Sequence, residues 1–264
     1  VDGGAVPLFK PGQHAPIELD IPGQTEPVRR VYSLSNRPGE DSLRLTIKKE
    51  PAPALASRYM HEAFEVGDRL RMRAPAGTFF LDENSARPVV LLSAGVGLTP
   101  MVSMLEHVVV GDAARPVWFF HAAMSSREHA MAEAVRRAVE QHENLHMHVS
   151  YDRPNPKDRL GCDFDHFGRL SCDVLKSVLP WDDYEFYICG PGPFMKGLAE
   201  GLAQNGVFPS RIHWEAFSGV KPDIDIGHGE SVPVPAEATA GVGQPGARVE
   251  FRRSGKTVEW SETS

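Results

Sequence analysis

The sequence predicts an α+β unit followed by an α/β unit: a small antiparallel β-barrel, then a parallel sheet with helices on both faces. Three observations carry that expectation. Over roughly the first 80 residues short apolar runs alternate with polar ones, with Pro and Gly at the turns. From Pro88 the apolar runs become continuous, as strands covered on both faces require. Between those runs apolar residues recur at helical spacing, so strand and helix alternate, the pattern of a parallel sheet.

In the barrel, residues 1–85, the segment Ala15 to Ile21 alternates, with Ile17, Leu19 and Ile21 on one face. Leu43, Leu45 and Ile47 repeat the pattern, as do Leu70 and Met72. Pro and Gly fall at 11–12, 22–23, 38–39 and 75–77, and one short helix is expected around Ser57 to Phe64. Residues 86–219 then read as strand Val89–Leu92 and a helix bearing Met101, Met104, Leu105 and Val108. Strand Val117–His121 follows, then a helix Arg127–His142 with Met131, Ala134, Val135, Ala138 and Val139 inward. The series continues with strand Leu145–Tyr151, a helix near Cys172–Leu179, strand Glu185–Cys189, helix Pro193–Gln204 and strand Arg211–Ala216. Residues 220–247, rich in Gly, Pro and Ala, read as a linker. Alternation returns at Val249, Phe251, Val258 and Trp260 around Ser254-Gly255, the pattern of a hairpin.

The net charge of −7 argues against nucleic acid or an anionic membrane as the main partner. No run of ~18 apolar residues predicts a membrane-spanning helix. Three cysteines, at 162, 172 and 189, have neither CxxC spacing nor an even count, so a cytoplasmic location fits best. The N-terminus has no signal-peptide pattern and no initiator Met, which is expected of a piece of something longer. His146 and His148 share a strand face but lack a third ligand at suitable spacing, so no metal site is expected and a polar edge strand is.

The chemistry concentrates in a few phrases. In Arg30-Val31-Tyr32-Ser33, Arg30 and Tyr32 point one way along an extended strand and Val31 the other. That face presents a guanidinium for a phosphate and a phenol for a flavin ring, and Ser33 can reach the ring edge. In Gly95-Val96-Gly97-Leu98-Thr99-Pro100, a strand ends and a helix begins. Glycines there let the backbone approach a diphosphate at a helix N-terminus, with Thr99 expected as N-cap and Pro100 as the first helical residue. Cys189-Gly190-Pro191 ends a parallel strand on the side where such sheets bind ligands, and a thiol there can lie beside a nicotinamide. Phe217 can cover a flavin face until nicotinamide displaces it, while Glu215 exchanges protons. Ser125-Ser126-Arg127 follows the second parallel strand, where Ser126 and Arg127 can meet an adenosine ribose. His121, at the end of that strand, is a further cofactor candidate, with a core or cap position as its other reading.

Residues ~8–219 together resemble the ferredoxin–NADP reductase superfamily, nearest to flavohemoglobin reductase domains and oxygenase reductases. Phe9 to His14 is similar to that group's opening segment, whose last position, here His14, contacts flavin. Arg30 to Ser33 resembles the flavin signature, Lys48-Lys49-Glu50 the following strand end, and His213 to Phe217 the closing motif. The family's flavin pyrophosphate loop carries Gly-x-x-Ser, whereas Ala54 to Ser57 keeps only Ser57. The resemblance therefore implies FAD, with FMN within reach. Arg248 to Ser264 resembles the first hairpin of a plant-type [2Fe–2S] ferredoxin and stops before any cluster cysteines, which would lie past Ser264.

The expected function is an NAD(P)H-dependent flavoprotein reductase, with Cys189, Glu215 and Thr99 as the catalytic set. Electrons would pass from NADH or NADPH through flavin to an iron–sulfur domain or ferredoxin and on to an oxygenase-type acceptor. Two other readings stand beside it: a flavohemoglobin-type diaphorase serving a haem partner, and a non-catalytic flavin- or nucleotide-sensing module.

Overall fold

Strand β4 (Val89–Ala94) is buried along its whole length, and its side chains alternate between two cores. Val89 and Leu91 face one layer, Val90 and Leu92 the other, which is why the run reads as unbroken apolar sequence. The computed structural model describes residues 6–111, 114–217, 222–227, 248–251 and 256–259. The chain divides into two units, Val1–Gly227 and His228–Ser264.

In the first unit, β1 (His14–Leu19) lies between β2 (Val28–Ser33) and β3 (Arg71–Met72), all antiparallel. The alternation expected from Ala15 holds: Ala15, Ile17, Leu19 and Ile21 are buried. The helix α1 spans Leu55–Glu62, two residues earlier than expected. Leu43, Leu45 and Ile47 do not form a regular strand; they remain half-buried, and the only pairing there is a single bridge from Leu45 to Leu34. Alternation sets which side faces inward, whereas ladder hydrogen bonds need a neighbour in register, and that neighbour is present at one position only.

Beyond β4, a 3₁₀ turn at Gly95–Gly97 runs into α2 (Leu98–Gly111). Then come β5 (Val117–Ala123), α3 (Ala132–Gln141), β6 (Leu145–Tyr151), β7 (His166–Phe167), α4 (Cys172–Val178), β8 (Glu185–Cys189), α5 (Gly192–Gln204) and β9 (Ile212–Glu215). All six strands are parallel in the order β7-β6-β5-β4-β8-β9. Met101, Leu105 and Val135 of α2 and α3 cover one face, and Leu175 and Leu198 of α4 and α5 the other. Each fully buried side chain of this kind contributes about 1.5–3 kcal/mol.

Three details differ from the sequence reading. The pair β6–β7 means that β6 is not an edge; His146 instead stacks on Trp118, and the His148 ring lies tilted against Phe120 at 5.4 Å. The helix expected from Arg127 begins only at Ala132, after a 3₁₀ turn at Ser126–Glu128 and a left-handed Met131 at φ 57°. The break turns His129 inward, where its ring stacks at 4.5 Å on buried His121 and its Nδ1 lies 2.9 Å from the Tyr151 hydroxyl. Ala134, expected inward, is exposed because the helix register is set by Val135 against the sheet.

Burial holds these two imidazoles neutral, with His121 pushed down to about 3 and His129 to about 4. Their folded values lie below the unfolded value, so their contribution is fully present above pH 6.5 and is lost as pH falls toward those values. Between pH 7 and pH 5 each is expected to cost about 2 kcal/mol. Urea midpoints measured across that range check this: the double variant His121→Gln/His129→Gln should flatten the dependence, and an unchanged slope would contradict it.

Phe79 and Leu81, at the end of the barrel segment, enter the core beneath α2. The Ser103 hydroxyl donates to the Asn36 carbonyl at 2.7 Å, and Arg44 pairs with Glu106 at 2.7 Å. These contacts join barrel and parallel sheet into one body. Residues 222–227, read from composition as linker, lie along α5: Lys196 Nζ donates to the Asp223 carbonyl at 2.6 Å, and Ile224 and Ile226 pack on the α4–α5 core. The rest of 220–247 lies outside the described residues, as does the Ser254-Gly255 turn. In the second unit β10 (Arg248–Phe251) and β11 (Lys256–Glu259) pair antiparallel, Val249 opposite Val258.

Candidate functional site

A cavity of about 250 Å³ opens where barrel and sheet meet, lined by Arg30, Val31, Tyr32 and Ser33 of β2 and by Lys48, Ser57, Val96, Thr99 and Phe217. Nine residues selected from sequence, spread over nearly 190 positions, thus share one cavity wall. Strand β2 brings its four because it runs antiparallel to β1 in a register that sets Arg30 opposite Ile17 and Tyr32 opposite Ala15. Burial raises the Tyr32 phenol against the lowering effect of Arg30, so it stays protonated and able to donate. Ser33 is 5% exposed and its hydroxyl has no partner among the described residues. A buried unpaired hydroxyl costs about 1–3 kcal/mol, so a ligand atom that meets it gains correspondingly.

The remaining lining is Thr46, Ile47, Glu50, Ala54 and Ala56, none of them a candidate site residue from sequence. Ala54 and Ala56 sit at the start of α1, where the first turn leaves backbone N–H groups without helical partners, and they line the cavity together with Lys48 and Ser57. The signal was Ser57 itself: its hydroxyl accepts from the Glu50 N–H at 3.2 Å, tying the helix start to the strand end.

The strand order is the 3-2-1-4-5 arrangement of dinucleotide-binding sheets, with β7 added outside. Its direction reverses between β4 and β8, so the crevice lies beyond their carboxyl ends, at Gly95–Gly97 and Cys189-Gly190. Gly95 takes φ +54°, which an L side chain resists. Gly97 packs directly on the Cys189 carbonyl, leaving no room for a Cβ. Thr99 is not the N-cap: α2 starts at Leu98, and the Thr99 hydroxyl donates to the Val96 carbonyl at 3.1 Å. Pro100 accordingly is the third helical residue, since the 3₁₀ turn has already started the winding. Leu98 is core rather than crevice, and Pro191 precedes α5.

Cys189 is fully buried, and its thiol is raised well above its ordinary value by burial and then by the Glu215 carboxylate. Glu215 pairs with Cys189 in the β8–β9 register and lies 3.4 Å from His14 Nδ1, with its Oε2 buried and unpartnered. His14, Cys189 and Glu215 therefore gather as a second group that does not line the cavity. His121 is core: the Ser93 hydroxyl lies 2.9 Å from its Nδ1. Ser126 and Arg127 form the 3₁₀ turn after β5, with Ser126 bound to Asp158. Among the described residues no group of three or more His, Cys, Asp or Glu side chains is arranged to hold a metal. None of their helices is long and apolar enough to cross a membrane.

Residues 91–200 match the family model of the oxidoreductase NAD-binding domain. The flavohemoprotein of Bacillus thuringiensis subsp. konkukian (strain 97-27) is 40% identical over 220 residues, covering 82% of this chain and 55% of that protein. The chain thus spans about half the length of the curated relatives it matches. The crystal structure of the flavohem-like FAD/NAD-binding domain of nitric oxide dioxygenase from Vibrio cholerae O1 biovar El Tor matches with a TM-score of 0.72. It is 34% identical, with 82% of this chain and 88% of that one covered. Phthalate dioxygenase reductase shares the fold at 19% identity and a TM-score of 0.63, over 98% of this chain and 68% of its own. A parallel sheet of dinucleotide-binding order joined to an antiparallel sheet, with relatives this similar across both parts, makes this chain a member of the ferredoxin–NADP reductase superfamily of NAD(P)H-dependent flavoprotein oxidoreductases.

Proposed function

We propose that this chain takes hydride from NAD(P)H onto a bound flavin and releases electrons singly to a second redox centre. The observation that carries the reading is the single cavity in which Arg30, Tyr32, Ser33, Lys48 and Ser57 of the barrel meet Thr99 and Phe217 of the dinucleotide part. The residues fit a flavin. Ser33 offers an unsatisfied buried hydroxyl and Tyr32 a protonated phenol for the ring, while Arg30 and Lys48 offer cations and the α1 start free N–H groups for phosphates. FAD is favoured over FMN by the likeness to the FAD/NAD-binding domain from Vibrio. Bound there, flavin supplies hydride acceptance at N5 and one-electron release.

The protein's own part is positioning. Phe217, 45% exposed, covers the cavity and yields to nicotinamide. Thr99 lines the cavity where the nicotinamide would lie, and the neutral Cys189 thiol, buried at the end of β8, adds no charge near a ring that becomes cationic. Glu215, beside His14, holds or accepts the proton that accompanies reduction.

The onward acceptor is a [2Fe–2S] domain that follows the β10–β11 hairpin and serves an oxygenase-type partner. The hairpin supports this, as does the likeness to a reductase described as transferring electrons from pyridine nucleotides to [2Fe–2S]. A second reading, electron delivery to a haem domain, is favoured by the identity to flavohemoproteins. The three free thiols, one of them exposed, fit a reducing cytoplasm.

The test is anaerobic mixing of flavin-loaded protein with NADH or NADPH, followed by turnover with ferricyanide. Rapid loss of the yellow absorbance is expected. Persistent colour with both nucleotides would leave a passive sensor and defeat the reductase reading. Comparing a [2Fe–2S] ferredoxin with a globin haem as acceptor then separates the two onward routes.

A further inference from the structure

At the carboxyl end of β5 two serines already hold two carboxylates. The Ser126 hydroxyl donates to Asp158 Oδ1 at 2.6 Å and its backbone N–H to Oδ2 at 3.2 Å. The Ser125 hydroxyl, buried, donates to the Glu128 carboxylate. We infer that Asp158 is a specificity-determining residue that selects a dinucleotide with a free 2′-hydroxyl over one with a 2′-phosphate, an inference that rests on reading the β4–β8 crevice as the NAD(P)H site.

Strand β5 is the second parallel strand in chain order and neighbours β4, and the ribose of a dinucleotide lies at the end of that strand. The groups that would receive a 2′-phosphate there are the Ser126 hydroxyl and N–H, and Asp158 occupies both. Asp158 is fixed by its own turn: its Oδ2 accepts from the Asn155 N–H at 2.8 Å, and its N–H donates to the Asn155 carbonyl at 2.9 Å. Those donors, the Ser126 hydroxyl first, hold its carboxyl below the usual range, so it is charged at neutral pH. A phosphate arriving at Ser126 would have to displace that carboxylate and then stand beside it. A 2′-hydroxyl meets no such conflict, because it can donate to Asp158 while Ser126 keeps its bonds. Arg127, exposed on the same turn, pulls the other way, but its charge is screened by solvent whereas the Asp158 contacts are direct.

The experiment uses the flavin-loaded full chain with 5′-AMP and 2′,5′-ADP, which differ only by the 2′-phosphate, and with NADH and NADPH. Wild type should bind 5′-AMP at least about tenfold more tightly, and Asp158→Asn should erase most of that factor in binding and in the NADH:NADPH ratio of kcat/KM. Asp158→Glu, which keeps the charge, should retain the preference; Asp158→Ser replaces Asp158→Asn if the latter loosens the loop. Equal or tighter binding of 2′,5′-ADP by wild type, or an unchanged ratio in the neutral variants, overturns the inference. If AMP discrimination behaves as expected while neither dinucleotide bleaches the flavin, the reductase reading fails and the specificity assignment stands.

Discussion

Arg30→Ala/Tyr32→Ala is expected to purify colourless. A charge-assisted bond from a guanidinium to phosphate is worth about 1.5–3 kcal/mol, and a lost aromatic contact about 0.5–1.5 kcal/mol. Their combined removal corresponds to a loss of about 30- to 1,000-fold or more in flavin affinity, since each 1.4 kcal/mol is tenfold. The apo fold should survive, because the Arg30 guanidinium, exposed on β2, donates among the described residues to the neighbouring Arg29 carbonyl at 2.7 Å and to no distant group. The measurement is the flavin-to-protein absorbance ratio after purification, with far-ultraviolet dichroism as the folding check. A variant that keeps wild-type colour would remove the cavity at Tyr32 from consideration as the flavin site.

Gly97→Ala should abolish dinucleotide-driven reduction while leaving flavin bound. The added methyl has no space, since the atoms it meets are the Cys189 carbonyl and the Gly190 nitrogen, main-chain groups at the end of β8 that cannot rotate away. Relief requires β4 and β8 to part at their carboxyl ends, where the crevice lies. Overpacking of this kind costs about 1–3 kcal/mol in stability. A displacement near 1 Å between reacting groups costs on the order of 100-fold in rate. Stopped-flow reduction by NADH, set against thermal stability and flavin content, reads the effect. A rate within threefold of wild type would show that the two strand ends do not frame the nicotinamide.

Much of this was legible because local periodicity and local chemistry agreed. Leu145–Tyr151 and Glu185–Cys189 form strands over the residues their patterns mark, and the glycine turn after β4 lies where the run Val89–Leu92 predicts a strand end. Arg30-Val31-Tyr32-Ser33 reads from sequence as an extended strand, and it does form part of β2 and line the cavity. Elsewhere a distant partner decided the outcome. The helix expected from Arg127 is displaced because His129 is drawn inward by His121 and Tyr151, which belong to two other strands. Thr99 lost its capping role because Gly95 and Gly97 wind a 3₁₀ turn ahead of it. His14 lies beside Glu215, some two hundred residues away, a contact that no local pattern marks.

Pattern and composition alone determined that an antiparallel part precedes a parallel one, and marked the short phrases proposed to carry the chemistry. Those properties depend on side-chain spacing over a few residues. Only the tertiary structure decided that nine of those residues share one cavity, that Gly97 touches the main chain of Cys189, and that Asp158 already occupies the donors of Ser126. Such facts are set by strand order and by contacts between segments far apart in the chain, and a hydrogen bond between distant loops leaves no periodicity by which to read it.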